Sequence, residues 1–474
     1  MSAEAATWSL TTALGALRAG RLSAEEYLTD LLAHERSHGG LGAYITPTGE
    51  QALAAARAAD RSDSSSSRPL HGVPLVVKDN IDVAEVPTTA GTPRLRDHVP
   101  FADSAAWRRL AGAGALLLGK TSMHELAFGV TGACTGAPTA LNPADLRYLA
   151  GGSSSGTAAA VAGGLAPAGL GTDTGGSARI PAAVCGITGF RPTTGRYPHE
   201  GVLRIAPSRD TIGLMARDVE DLLLLDAVLT SRDITGMPPL ASPPQPPRLA
   251  VPEPGWSGLD PEVDRVASAA LTTLQRRGCV LVKAGTQAQG GSRDLLLEVA
   301  TTVPLAETPD AVTAYLAATG STVTFDEVLS AVASPDVRNT LAPLTAEPAR
   351  TLDRYRAALA AEHDFRTTAR AARRALGVSA SVMPTTILPA APVGVGEHVL
   401  LGGTRVSTFL CYIRNTAPAA ILGLPSVTIP AGTTAGGLPV GLQFDGHPHA
   451  DTELLRLALH CSRLLGTPRT LLRH

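Results

Sequence analysis

Two periodicities share the chain. Apolar residues three and four apart predict helices over 22–37, with Ser23 as N-cap and glutamates in the first turn, and over 51–61, 219–230 and 452–465. Short apolar runs bounded by turn residues predict buried strands at 75–77, 115–118, 166–171, 379–383, 426–429 and 438–444. A helix over 105–114 passes into the strand at 115–118, and the segment SMHELAF (122–128) reads as a further helical piece. The small-residue run 158–164 predicts a buried helix, and 178–185 another that begins at a glycine turn. Strands at 249–252 and 280–283 flank a helix at 261–277. That βαβ alternation favours a parallel or mixed sheet. From 295 to 376 the pattern is mainly helical, ending in a long Arg/Ala-rich helix at 349–376. The segments 62–68 and 190–198 read as loops, and 238–248 (PPLASPPQPPR) as a Pro-rich linker.

Composition narrows the class. With 44% hydrophobic and only 17% charged residues in 474, the chain can bury a large core. A formal net charge of −2 gives no reason to expect nucleic acid or a membrane surface as a partner. No apolar run reaches the ~18–20 residues of a membrane span, and no basic segment followed by an apolar run opens the chain. Cys134, Cys185, Cys279, Cys411 and Cys461 are scattered and odd in number, which predicts reduced thiols and a cytoplasmic protein. Of 40 basic residues only Lys78, Lys120 and Lys283 are lysines, so each lysine invites the question of its purpose.

The densest candidate chemistry lies between 151 and 179, GGSSSGTAAAVAGGLAPAGLGTDTGGSAR, where two Gly/Ser turns are separated by small apolar residues. Serine in such turns, with backbone N–H groups around it, suits a nucleophile beside an oxyanion hole. Several assignments compete. Gly152 to Gly156 fits the Gly-x-Ser-x-Gly elbow of α/β-hydrolases, with Ser154 as nucleophile and Asp445 with His447 or His449 as partners. A phosphate loop is excluded by Thr157, which stands where its lysine belongs. A Ser-x-x-Lys hydrolase is excluded because no lysine follows a serine at that spacing. His447 and His449, a close histidine pair, lack further ligands at metal spacing, so no metal and no cofactor are expected. Lys78, at the end of an apolar strand, is either a snorkelling or Asp79-paired lysine or a desolvated base.

Three collinear segments decide among these. HGVPLVVKDNID, GKTSMHELAFG and GGSSSGTAAAVAGGLAPAGLGTDTGGSARIPAAVCGITGFRPTTGRYP resemble the amidase signature family of serine hydrolases, as do VMPTT, LGLPSVTIPAG and GLPVGLQFDG near the C-terminus. The resemblance is weakest from about 231 to 375. It implies an α/β fold, the amidase signature fold, with a central mixed sheet covered by helices on both faces. It also implies one domain over 1–474, with its signature core at about 70–230, a variable helical region at about 240–375, and C-terminal strands and a helix at 376–474 completing the core. By position, Ser177 is implied as acyl-enzyme nucleophile, Ser153 as the bridging serine after a cis peptide bond, and Lys78 as base. Thr174, Gly175, Gly176 and Ser177 would supply the oxyanion hole, with Ser154 and Asp173 as supporting hydrogen-bonding residues. His124, Phe128 and Val130 are implied as pocket residues. Arg179 either meets an anionic substrate group or holds a structural ion pair. Ser155 stands where the family often has Gly, and the loop 131–143 departs from its commonest form.

His124, with FRPTTGRYP, resembles the hydrolases of indoleacetamide and mandelamide more than the glutamine-hydrolysing subunit of an amidotransferase, which usually has Asp there. The expected partner is a small amide, split into a carboxylic acid and ammonia. A homodimer and the amidotransferase alternative stay open at this stage.

Overall fold

The computed structural model describes residues 5–37, 39–62, 68–232, 245–346 and 348–466. The Pro-rich stretch 238–244 and most of the polar loop 62–68 lie outside these residues. The alternation of side chains along a strand explains how one sheet makes two layers of core. In Pro74–Lys78, Leu75 and Val77 enter one apolar cluster and Val76 the other. In Thr211–Ala216, Ile212 and Leu214 enter the first and Met215 the second.

Eleven strands join in this sheet among the described residues. In chain order they are β1 (Tyr44–Pro47), β2 (Pro74–Lys78), β3 (Leu116–Thr121), β4 (Ala168–Asp173), β5 (Thr188–Arg191) and β6 (Thr211–Ala216). There follow β7 (Arg248–Pro252), β8 (Val280–Ala284), β9 (Ala380–Pro384), β10 (Ser426–Thr433) and β11 (Pro439–Asp445). Their spatial order is β1-β3-β2-β4-β6-β5-β10-β11-β9-β7-β8. The sheet is mixed: β2 runs parallel to β3 and β4, and β7 parallel to β8 and β9, while the pairs between β4 and β9 are antiparallel. The predicted βαβ unit is present, with a helix over Pro261–Arg276 joining β7 and β8.

Helices cover both faces. One layer holds α1 (Ser155–Ala162) and α2 (Arg179–Cys185), whose small side chains are buried on every side. The other holds α3 (Val219–Leu229) and α4 (Asp451–Leu465). The helix Ala24–Ser37 starts at Ser23, which exchanges capping hydrogen bonds with Glu26. The long helix Arg293–Ala318 buries Val312, Tyr315 and Leu316 against Met123, Leu126 and Phe128, and so ties the variable region to the core.

Two expectations need correction. Residues 190 and 191, expected to open a loop, belong to β5, and β1 and β6 have no counterpart among the expected strands. The SMHELAF segment is not a helix beyond the single turn Glu125–Ala127, and Leu126 and Ala127 have φ of 49° and 61°. Tertiary bonds replace the helical ladder there: His124 N–H donates to the Ser153 carbonyl (3.1 Å) and Leu126 N–H to that of Ala90 (2.8 Å).

Candidate active site

β2, β3 and β4 run the same way, so Lys78, Thr121 and Asp173 end at one edge of the sheet, where α/β folds build their sites. There the Lys78 amine, wholly buried, lies 2.7 Å from Ser153 Oγ and 2.7 Å from Thr172 Oγ1. Burial pushes this lysine down from 10.5 to about 7, against the opposing pull of Asp210 and Asp173. Asp79, its neighbour in sequence, pairs instead with Lys120 at 3.3 Å. Lys78 therefore neither snorkels nor forms an ion pair with Asp79.

Ser153 follows a cis peptide bond from Gly152 and precedes α1. Gly152 permits close packing: a Cβ there would lie 2.9 Å from Gly132 N and 3.0 Å from the Val130 carbonyl carbon, both backbone atoms. Ser154 pins α1 to β4, since its Oγ donates to the Thr172 carbonyl (3.2 Å) and accepts the Thr172 N–H (3.3 Å). Asp445 is engaged by Ser426 and Gln443, and His447 by the Val378 carbonyl. Ser154 Oγ is thus bonded to the Thr172 backbone and not to Asp445, His447 or His449.

The second serine turn is wrapped around Asp173. Its carboxylate accepts N–H bonds from Gly176 (3.0 Å) and Ala178 (3.2 Å) and is gripped by Arg179 and Arg191 at 2.9 and 3.1 Å. Burial alone would push Asp173 up, yet the two guanidinium groups hold it well below the usual carboxylate range. The Thr416 hydroxyl closes the turn from the far side by donating to the Gly175 carbonyl (2.6 Å). The two serine turns also meet directly, Ser154 N–H donating to the Ser177 carbonyl at 3.1 Å. Ser177 keeps 8% of its surface exposed, while Ser153 and Lys78 keep none.

The geometry bears on two further expectations. The Gly176 N–H is committed to Asp173, so it is not free for an oxyanion; the N–H groups of Thr174, Gly175 and Ser177 make no hydrogen bond to other described residues. Arg179 is fully buried, and its donors go to Asp173, the Thr416 carbonyl, Ser426 and Gln443. Of its two expected roles, the structural ion pair is the one present.

Phe128 and Val130 line a cleft of about 620 Å³, together with Thr131, Asp336, Glu397 and Phe409. His124 does not line it. The ring is buried behind the wall, where Nδ1 accepts the Gly132 N–H (3.2 Å) and Nε2–H therefore donates to Asp336 (2.9 Å). A Cβ at Gly129 would overlap that ring, so the wall can close over it only at glycine. The loop expected to be unusual contributes Thr131, Ala133 and Thr135 to the cleft.

The sequence model of the amidase family matches residues 27–455. The chain belongs to the amidase family. This amidase is 36% identical to mandelamide hydrolase of Pseudomonas putida, over 97% of its own chain and 91% of the relative. It is 35% identical to indoleacetamide hydrolase of Agrobacterium vitis, over 95% of each chain. A crystal structure of an amidase superposes with a TM-score of 0.84 at 34% identity, over 96% of this chain and 99% of that one. It is thus an amide-hydrolysing enzyme. Among the described residues of this amidase no helix is long and apolar enough to cross a membrane, and no group of three or more metal-ligating side chains gathers.

Four residues of the amidase site escaped the sequence reading: Asn80, Thr172, Asp210 and Thr416. Asn80 and Thr172 share a hydrogen bond (3.2 Å) beside the Lys78 amine, and Asp210 and Thr416 come from distant segments. Asn80 and Thr172 lie within two and one residues of Lys78 and Asp173, the only local signal. Asp210 and Thr416 carry none.

Proposed function

We propose that this amidase hydrolyses a small primary amide to a carboxylic acid and ammonia, with Ser177 as nucleophile, Ser153 as proton relay and Lys78 as base. The reading is carried by the 2.7 Å contact between a buried lysine amine and Ser153, in a turn bonded to the one that holds Ser177. A serine hydroxyl needs a proton acceptor to attack at neutral pH, and a lysine lowered to about 7 is neutral often enough to serve. In that neutral form the contact runs the other way, with the Ser153 O–H donating to the lone pair of Nζ.

As Ser177 Oγ attacks the carbonyl carbon, its proton passes to Ser153 while the Ser153 proton passes to Lys78. The N–H groups of Thr174, Gly175 and Ser177 receive the oxyanion; each such donor is typically worth ~10²–10³ in rate. Lys78 then returns its proton through Ser153 to the departing nitrogen, and ammonia leaves an acyl-enzyme. Water, activated by the same pair, releases the acid.

The names of its relatives, mandelamide and indoleacetamide hydrolases, support an arylacetamide-type substrate, and Phe128, Val130 and Phe409 give the cleft an apolar wall suited to an aryl group. Five free cysteines support a reducing, cytoplasmic setting. The test is an ammonia-release screen over aryl and alkyl primary amides with Ser177→Ala as blank, joined to fluorophosphonate labelling and peptide mapping. Ammonia release that disappears in Ser177→Ala, with the label on Ser177, is expected. A label on Ser154, or ammonia release that survives in Ser177→Ala, would overturn the mechanism.

A further inference from the structure

A second and much smaller cavity reaches the lysine through Thr172. It measures about 10 Å³, the volume that one water molecule requires. Its lining includes Asn80, Thr172, His199 and Asp210. Three of these keep a buried polar atom without a hydrogen-bond partner: Asn80 Oδ1, His199 Nδ1 and Asp210 Oδ1. Asn80 and Asp210 are 2% and 5% exposed, so bulk solvent does not satisfy them. Unpaired polar atoms this deep are costly unless something small fills the gap.

The donors and acceptors define that occupant. Thr172 Oγ1 already accepts from Lys78 (2.7 Å) and from Asn80 Nδ2 (3.2 Å), so its own hydrogen is left to donate. The other oxygen of Asp210 is committed to the N–H groups of Ile205 (2.8 Å) and Ala206 (3.0 Å). What remains is the Thr172 hydroxyl donor, an amide oxygen, an imidazole nitrogen and a carboxylate oxygen that the Thr174 side chain approaches. A water that accepts from the Thr172 hydroxyl and from His199 Nδ1–H and donates to Asp210 and Asn80 meets these demands, and an anion does not. His199, Val202 and Arg204 also line an outer cleft of about 520 Å³, which gives such a water a short route to bulk solvent.

We propose that this cavity is a water site and that the chain Lys78–Thr172–water–Asp210 makes Asp210 a positioning residue that sets the proton affinity of the base. The role assigned to Asp210 rests on the reading of Lys78 as base; the water site does not. The charged groups that bear on the amine are Asp210 and Asp173, both favouring its cationic form, and Arg191 acts on both carboxylates. Around the cavity itself stand His199 and Arg204. Lys120 and Asp79 form their own ion pair.

Asp210→Asn tests the coupling, because it keeps an oxygen for Ile205 and Ala206 while removing the charge. Without that charge Lys78 loses its proton more easily, so the acidic limb of kcat/KM moves to lower pH, by ~0.5–1 unit for a charge acting through an intervening water. A merely structural Asp210 would lower the rate and leave the limb in place, and that result overturns the coupling. A crystal structure of the unaltered enzyme at high resolution decides the site whether or not the variant folds. A water peak bonded to Asn80 Oδ1 and Asp210 Oδ1 is expected, and a cavity with no peak overturns the proposal. The crystal is read without activity, so loss of the Lys78 reading, seen as a wild-type profile with no acidic limb, is told apart from loss of the water site.

Discussion

Lys78 and Lys120 are both buried to the last atom, and the difference between them lies in their partners. Burial lowers Lys120 too, but Asp79 and Asp82 pull it back, and the 3.3 Å contact with Asp79 keeps it a structural cation. Lys78 touches two hydroxyls and no carboxylate. Below about 7 it holds its proton and cannot accept another; above that it is free to act as a base. The expected kcat/KM therefore rises with pH through a limb near 7, carried by this residue. Lys78→Ala should lose at least ~10²-fold in kcat/KM together with the limb. Lys78→Arg should do no better, since a guanidinium does not give up its proton. Steady-state kinetics over a pH series checks both, and a wild-type profile that is flat across this range would refute the assignment.

Among the elements, the turn between β4 and α2 depends on polar burial more than on apolar packing. Asp173 accepts from two backbone N–H groups of the turn and pairs with two arginines, all of them out of water. Removing Arg179 takes one of two cations from the buried Asp173 and leaves the Thr416, Ser426 and Gln443 acceptors without that donor; breaking a buried pair typically costs ~3–5 kcal/mol. Arg179→Met should accordingly lower the urea midpoint and the unfolding free energy by that order. Arg179→Lys should recover only part, because a point charge cannot reproduce the fork on Asp173 together with the bonds to Thr416, Ser426 and Gln443. If urea unfolding places Arg179→Met within ~1 kcal/mol of the parent, the range of an exposed ion pair, the cage does not hold the turn.

The same burial explains which elements the sequence left legible. β2, β7 and β11 announce themselves as apolar runs, whereas β5, Thr188–Arg191, carries a buried arginine whose compensation comes from Asp173 on another strand. No local pattern reveals that exchange. SMHELAF has helical spacing, but hydrogen bonds to Ser153 and Ala90 override it. Lys78, Ser153 and Ser177 were legible because collinear motifs carry them and because lysine is scarce. Asp210 and Thr416 were not, since each reaches the site only through the folded topology.

Across the whole molecule, segments more than 200 residues apart meet at the serine turn. β10 pairs with β5 in the middle of the sheet, setting Val427 opposite Phe190, both buried. Residues near the C-terminus also complete the serine turn: Thr416 bonds to Gly175 and Arg179, and Ser426 and Gln443 to Arg179. A chain ended at Arg232 would keep every proposed catalytic residue, yet it would lose the strand beside β5 and three partners of a buried guanidinium. It should therefore show no cooperative thermal transition and no fluorophosphonate labelling of Ser177. Addition of the separately produced segment 245–474 should restore labelling to the extent that β10 finds β5. Labelling of the shorter chain alone at the full-length rate would mean that residues 1–232 build the site without the C-terminal strands, contrary to a sheet shared by both halves.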